Sequence, residues 1–155
     1  MRAILEDPFG DDLALEKAIT LARELYRLHE RGADYAVPLD TLSCLVGKLI
    51  HPRDITAAFV AVDPEAFARD LLLNRVPVPR DLSYEEMLEL VRRICSVEGS
   101  EFQIGYWLTC LKANTGHDNI SDLIYWPAEY FGDGDRSREM SPKEILDAAL
   151  AAGRK

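Results

Sequence analysis

Apolar residues recur at helical spacing through most of this chain. Over residues 13–30, Leu15, Ala18, Ile19, Ala22, Leu25, Tyr26 and His29 share one face of a long helix. Asp11, Asp12 and Glu16 suit its positive N-terminal end, and Gly32 suits a left-handed stop. Pro38 sits where a first helical turn tolerates it, and Leu39, Leu42, Leu45 and Val46 make a short stripe ending at Gly47. His51-Pro52 and Asp63-Pro64 are two further helix starts. The first leads Ile55, Ala58 and Phe59 inward, the second Phe67, Leu71 and Leu72. The first half therefore reads as one long and three short helices, with no convincing strand.

Helix starts are more explicit in the second half. Ser83 with Glu86 predicts a capping box, and Leu82 and Met87 are spaced for a hydrophobic staple. Met87, Leu90, Val91 and Ile94 then line one face. Ser100 with Gln103 predicts a second box, followed by Ile104, Trp107, Leu108 and Leu111 and closed by Gly116. Ser121 is placed to cap a short third element that Pro127 stops. Ser141-Pro142-Lys143-Glu144 joins an N-cap, a proline at the first helical position and a third box. Ile145, Ala148, Ala149 and Ala152 follow before Gly153.

Between the halves, Arg75-Val-Pro-Val-Pro-Arg80 favours an extended connector, because each proline biases the residue before it away from the helix. The expectation is an all-α protein of two parts: a small helical N-terminal domain over residues 1–78, and an antiparallel four-helix bundle with a short third helix over residues 79–155.

Composition narrows the function. The formal net charge is −9, with 13 acidic and 9 basic residues in residues 1–78 against 14 and 9 in residues 79–155. Both halves being acidic disfavours nucleic acid as a partner. The longest unbroken apolar run, residues 57–62, is far too short to cross a bilayer, and the N-terminus lacks a signal-peptide pattern. No membrane partner and a cytoplasmic location are expected. The three cysteines, Cys44, Cys95 and Cys110, each fall in an apolar-periodic segment and read as small buried hydrophobes in a reducing compartment.

Residues for catalysis or metal binding do not assemble. His29, His51 and His117 are far apart, and no His-x3-His, Cys-x2-Cys, phosphate-cradling glycine loop or GxSxG elbow is present. Asp133-x-Asp135-x-Ser137 with Glu144 twelfth has the outline of a calcium loop. Its sixth position is Arg138 where the turn wants glycine, and Glu144 is better used in its capping box. No enzyme activity, metal or cofactor is expected.

The informative stretch is HDNISDLIYWP, residues 117–127. It sets Tyr125 beside Trp126 on a segment too short to bury both, among Asp118, Asp122, Glu129, Asp133 and Asp135 and with no lysine or arginine from His117 to Asp135. An exposed aromatic pair ringed by carboxylates suits a binding hot spot for a basic protein, while the competing reading is a buried tryptophan closing a small core.

The pattern His-x-x-x-Ser-Asp-Leu-Ile-Tyr-aromatic-Pro resembles the third-helix signature of the immunity proteins that bacteria make against their own nuclease colicins and pyocins. SYEEMLELVRRIC at residues 83–95 resembles that family's first helix, Ser100-Glu101 the opening of its second, and Ser141-Pro142 with its apolar-periodic tail the fourth. The resemblance covers residues 80–155 and leaves the first half unexplained. It implies an acidic inhibitor that binds a toxin's nuclease domain beside its active site and excludes DNA. By position, Ser121, Asp122, Tyr125, Trp126 and Pro127 would form the common anchor, with Trp126 standing where the family usually has tyrosine. Glu101 would help grip the toxin, and Ile104, Gly105, Leu108 and Thr109 would set partner choice. The first half would extend the toxin contact or mediate homodimerisation. A non-catalytic module recognising another basic protein is the alternative.

Overall fold

The computed structural model describes residues 1–10, 13–132, 134 and 137–154, with the Asn74 side chain outside that set. The expectations resting on Asp11, Asp12, Asp133 and Asp135 lie outside the described residues. All regular structure described is helical. In chain order it runs α1 (Ala3–Glu6), α2 (Leu13–Glu30), α3 (Ala36–Val46), α4 (Pro52–Ala61), α5 (Pro64–Leu72), a 3-10 turn (Leu73–Arg75), α6 (Tyr84–Cys95), α7 (Glu101–Thr115), α8 (Ile120–Tyr125), α9 (Pro127–Phe131) and α10 (Pro142–Gly153). No helix among the described residues is long and apolar enough to cross a membrane.

The chain divides into two compact units, one made of Met1–Glu6 with Pro77–Lys155, the other of Asp7–Val76. Six N-terminal residues thus join the C-terminal half, and the second unit lies between the two pieces of the first in chain order.

In the Asp7–Val76 unit, α2 packs against α3, α4 and α5 through Ala18, Ala22 and Leu25. Prolines start α4 and α5 as expected, and the Asp63 carboxylate accepts the Ala66 N–H at 2.9 Å. Tyr26, Phe59 and Phe67 meet edge to face, with centroids 5.2 and 5.3 Å apart. Leu72 is buried and Leu71 only half-buried, because α5 turns Phe67, Ala68 and Leu72 inward together.

In the other unit, Ser83, Ser100 and Ser141 each accept the N–H of the residue three on, and the Glu86, Gln103 and Glu144 side chains reach back to the serine N–H, so all three capping boxes form. Helix α6 buries Met87, Leu88, Leu90, Val91 and Ile94 and packs against α7, α8 and α10. Helix α7 turns Tyr106, Trp107, Cys110 and Leu111 inward and leaves Ile104 and Leu108 half-buried.

Helix α1 belongs to this core. Leu5 is completely buried, and its carbonyl accepts the Trp107 indole N–H at 2.6 Å. The Glu6 carbonyl accepts Gln103 Nε2–H at 3.0 Å, and the Arg2 guanidinium donates to Glu86 at 2.6 Å and to Asp81 at 2.8 Å. A four-residue helix cannot hold itself in water, so these contacts are what keep it folded.

Several expectations are corrected. Helix α8 starts two residues early, with Asn119 rather than Ser121 at its N-cap. His117 Nδ1 accepts the Asn119 N–H at 3.1 Å, and the Asn119 carbonyl takes the Asp122 and Leu123 N–H groups, so the turn is wound before Ser121 is reached. Pro127 stops α8 but also starts α9, since its missing N–H costs nothing at a first helical position. The C-terminal half therefore has five helices among the described residues where four were expected.

Gly153 is helical rather than a stop. A Cβ there would lie 1.8 Å from the Thr115 carbonyl oxygen, so this glycine lets α10 approach the end of α7. Cys110 is buried but Cys44 and Cys95 are exposed. Cys44 follows the buried Leu42 by two residues, which carries it to the far side of α3, and Cys95 ends α6 beyond its buried stripe.

Candidate partner-binding surface

The geometry of α8 turns its aromatic end outward. Ile120 and Leu123 are completely buried, and at about 100° per residue Tyr125 lies about 140° round the helix from Ile120. Trp126 is the single non-helical residue between α8 and α9, at φ −135° and ψ 54°. Its N–H bonds the Asp122 carbonyl at 2.8 Å, and its own carbonyl accepts the Tyr130 N–H at 2.9 Å. Its backbone is thus bonded into both helices at once. Tyr125 is 45% exposed and Trp126 60%.

Around the pair, Asp118, Asp122 and Glu129 are exposed, while Ser121 and Pro127 are half-buried. Partial burial, with a smaller contribution from the nearby Cys95 thiol, raises the Tyr125 phenol above its ordinary pKa. Tyr125, Trp126, Pro127, Ala128, Glu129 and Arg138 line an open cavity of about 810 Å³. Helix α9 adds Phe131, exposed and met by the Arg138 guanidinium 4.5 Å from its ring centre.

Helix α7 presents the remaining residues singled out from the sequence. Glu101, Gly105 and Leu108 follow one another at i, i+4 and i+7 on the side away from Tyr106, Trp107 and Cys110. Glu101 and Thr109 are exposed, and Ile104, Gly105 and Leu108 half-buried. Thr109 spends its hydroxyl on the Gly105 carbonyl at 3.0 Å. Helices α7 and α8 pack on each other, so the two groups of residues stand on neighbouring elements. No group of three or more His, Cys, Asp or Glu among the described residues is placed to hold a metal ion.

Sequence reasoning placed Glu129 beside the pair but missed two participants. Phe131 comes to this surface only because α9 forms, and a proline followed five residues later by a left-handed Gly132 was a legible signal for it. His117 is the second: it is buried, with Nε2 2.6 Å from the Tyr130 hydroxyl. Nothing in the residue pattern paired those two.

Exposed aromatics, a cavity and carboxylates on neighbouring helices are the kind of equipment protein recognition uses. Residues 80–151, just under half of the chain, match the family model described as colicin immunity protein / pyocin immunity protein. Among curated proteins and among solved structures, nothing matches the chain. The family match points to bacteriocin immunity, the work of inhibitors that bind a colicin or pyocin.

Proposed function

We propose that the unit made of Met1–Glu6 and Pro77–Lys155 is an immunity-type inhibitor that binds the nuclease domain of a cognate bacteriocin. The observation that carries the reading is the exposure of Tyr125 and Trp126 on an acid-flanked joint, inside the segment that matches the immunity family. The pair would supply the buried anchor of the complex, where large flat rings lose little conformational entropy on binding. Ser121 and Asp122 on α8, with Pro127 at the start of α9, would complete that anchor.

A nuclease domain must be basic where it holds DNA, so Asp118, Asp122, Glu129 and Glu101 would steer the encounter and add negative charge beside the occupied active site. Ile104, Gly105, Leu108 and Thr109 on α7 would then discriminate among toxins. With residues 7–76 outside the family match, a module for a different basic protein is the second reading.

Co-expression with the toxin encoded beside its gene separates the two. Cells expressing the full chain should survive that toxin, and a chain carrying Tyr125→Ala and Trp126→Ala should not protect them. Death in the presence of the unaltered, folded chain would overturn the immunity reading.

A further inference from the structure

Helix α9 is five residues long and buries none of them, so its own hydrogen bonds cannot hold it in place. It is nevertheless tied back to the end of α7. The His117 backbone N–H donates to Thr115 Oγ1 at 3.2 Å, and the Thr115 hydroxyl donates to the Leu111 carbonyl at 2.8 Å. The Asn119 N–H can only donate, so His117 Nδ1 accepts and the ring proton resides on Nε2, which donates to the Tyr130 hydroxyl at 2.6 Å. The two rings lie 5.5 Å apart, and Tyr130 meets Phe131 edge to face at 5.1 Å.

We propose that His117 and Tyr130 form a strut that spans α8 and positions the Tyr125–Trp126 pair for its partner. Both ends of α8 are bracketed by the strut: His117 fixes the turn that starts it, and Tyr130 fixes the helix that follows it. The one joint between α8 and α9 is Trp126 itself, so the angle at that joint, and with it the direction of both exposed rings, is set by a bond neither ring makes. His117 and Tyr130 are positioning residues and need not touch the partner. The inference rests on the proposed binding role of the pair.

The bond can be removed from either side in the full chain. Tyr130→Phe deletes one oxygen from a half-buried ring. His117→Asn keeps an acceptor for the Asn119 amide and loses the reach to Tyr130. Expected in both is exchange of the Tyr130 and Gly132 amides about tenfold faster, the effect of one lost hydrogen bond, with α6 and α10 amides unchanged. Affinity for the neighbouring toxin's nuclease domain should fall by about the same factor, and the double variant should lose no more than either single one.

Unchanged α9 exchange in Tyr130→Phe overturns the strut, as does acceleration spread evenly over α6, α7 and α10, or a double variant whose losses add. Should His117→Asn fail to fold, Tyr130→Phe alone decides. If α9 loosens as expected but the unaltered chain binds no nuclease domain, the functional reading falls while the strut stands.

Discussion

Leu5→Ala tests whether the N-terminal segment is part of the C-terminal unit's core. Leu5 is completely buried, on a helix too short to persist alone, and its carbonyl is the partner of the Trp107 indole 102 positions away. Truncating a fully buried leucine costs about 2–5 kcal/mol, the transfer of its methyl groups plus the cavity left behind. Against a domain stability of about 5–15 kcal/mol this is a large fraction. In a unit of this size it corresponds to a drop in melting temperature of about 10 °C or more.

The assay is selective by composition. The chain has two tryptophans, Trp107 and Trp126, and both lie in this unit, so tryptophan fluorescence during denaturation reports it without contribution from residues 7–76. The fluorescence-detected midpoint should fall clearly in Leu5→Ala. A change below about 0.5 kcal/mol, the range of ordinary surface substitutions, would refute the placing of Leu5 in the core.

Other outcomes follow from the same geometry. Tyr125→Ala and Trp126→Ala should each weaken binding to the nuclease domain by about 2–4 kcal/mol in a calorimetric titration while leaving the melting transition in place; loss of that transition would show the rings to be core. Gly153→Ala drives a methyl group into the Thr115 carbonyl and should destabilise the unit by about 1–3 kcal/mol in denaturant, whereas Gly105→Ala, with nothing within 4 Å of the added Cβ, should be harmless. Acid should destabilise through carboxylates whose folded pKa lies below the ordinary 4.5 of Glu or 3.8 of Asp. The Ser83 N–H, then Arg2, depress Glu86; Arg2 depresses Asp81; Lys143, then Tyr84, depress Asp147. Their contribution is complete above those ordinary values and is lost as pH falls through the depressed ones, so the melting temperature should decline below about pH 4.5, and Glu86→Gln should flatten that decline.

Local chemistry was sufficient for most of the helices. Three serines with a Glu or Gln three residues on became three capping boxes, prolines began α4, α5 and α10, and apolar spacing predicted the inward faces of α2 and α6. Each of those features is decided within about four residues of chain, the reach of one helical turn, and can therefore be read in order. That the segment could not bury both Tyr125 and Trp126 was legible in the same way, whereas the choice between an exposed pair and a buried tryptophan stayed open in the sequence and was decided by the structure, where Trp126 lies outside α8 and is 60% exposed.

Tertiary structure decided what distant residues do to one another. That Leu5 seats against Trp107, that Arg2 reaches Asp81 and Glu86, and that Gly153 must lack a side chain beneath Thr115 are meetings across tens of residues that no local pattern encodes. The His117–Tyr130 bond spans only 13 positions, but it too lies beyond the reach of one helical turn. The other His117 ring nitrogen, accepting the Asn119 N–H, belongs to the turn that starts α8 before Ser121, because a buried polar ring must find partners wherever the packed chain supplies them.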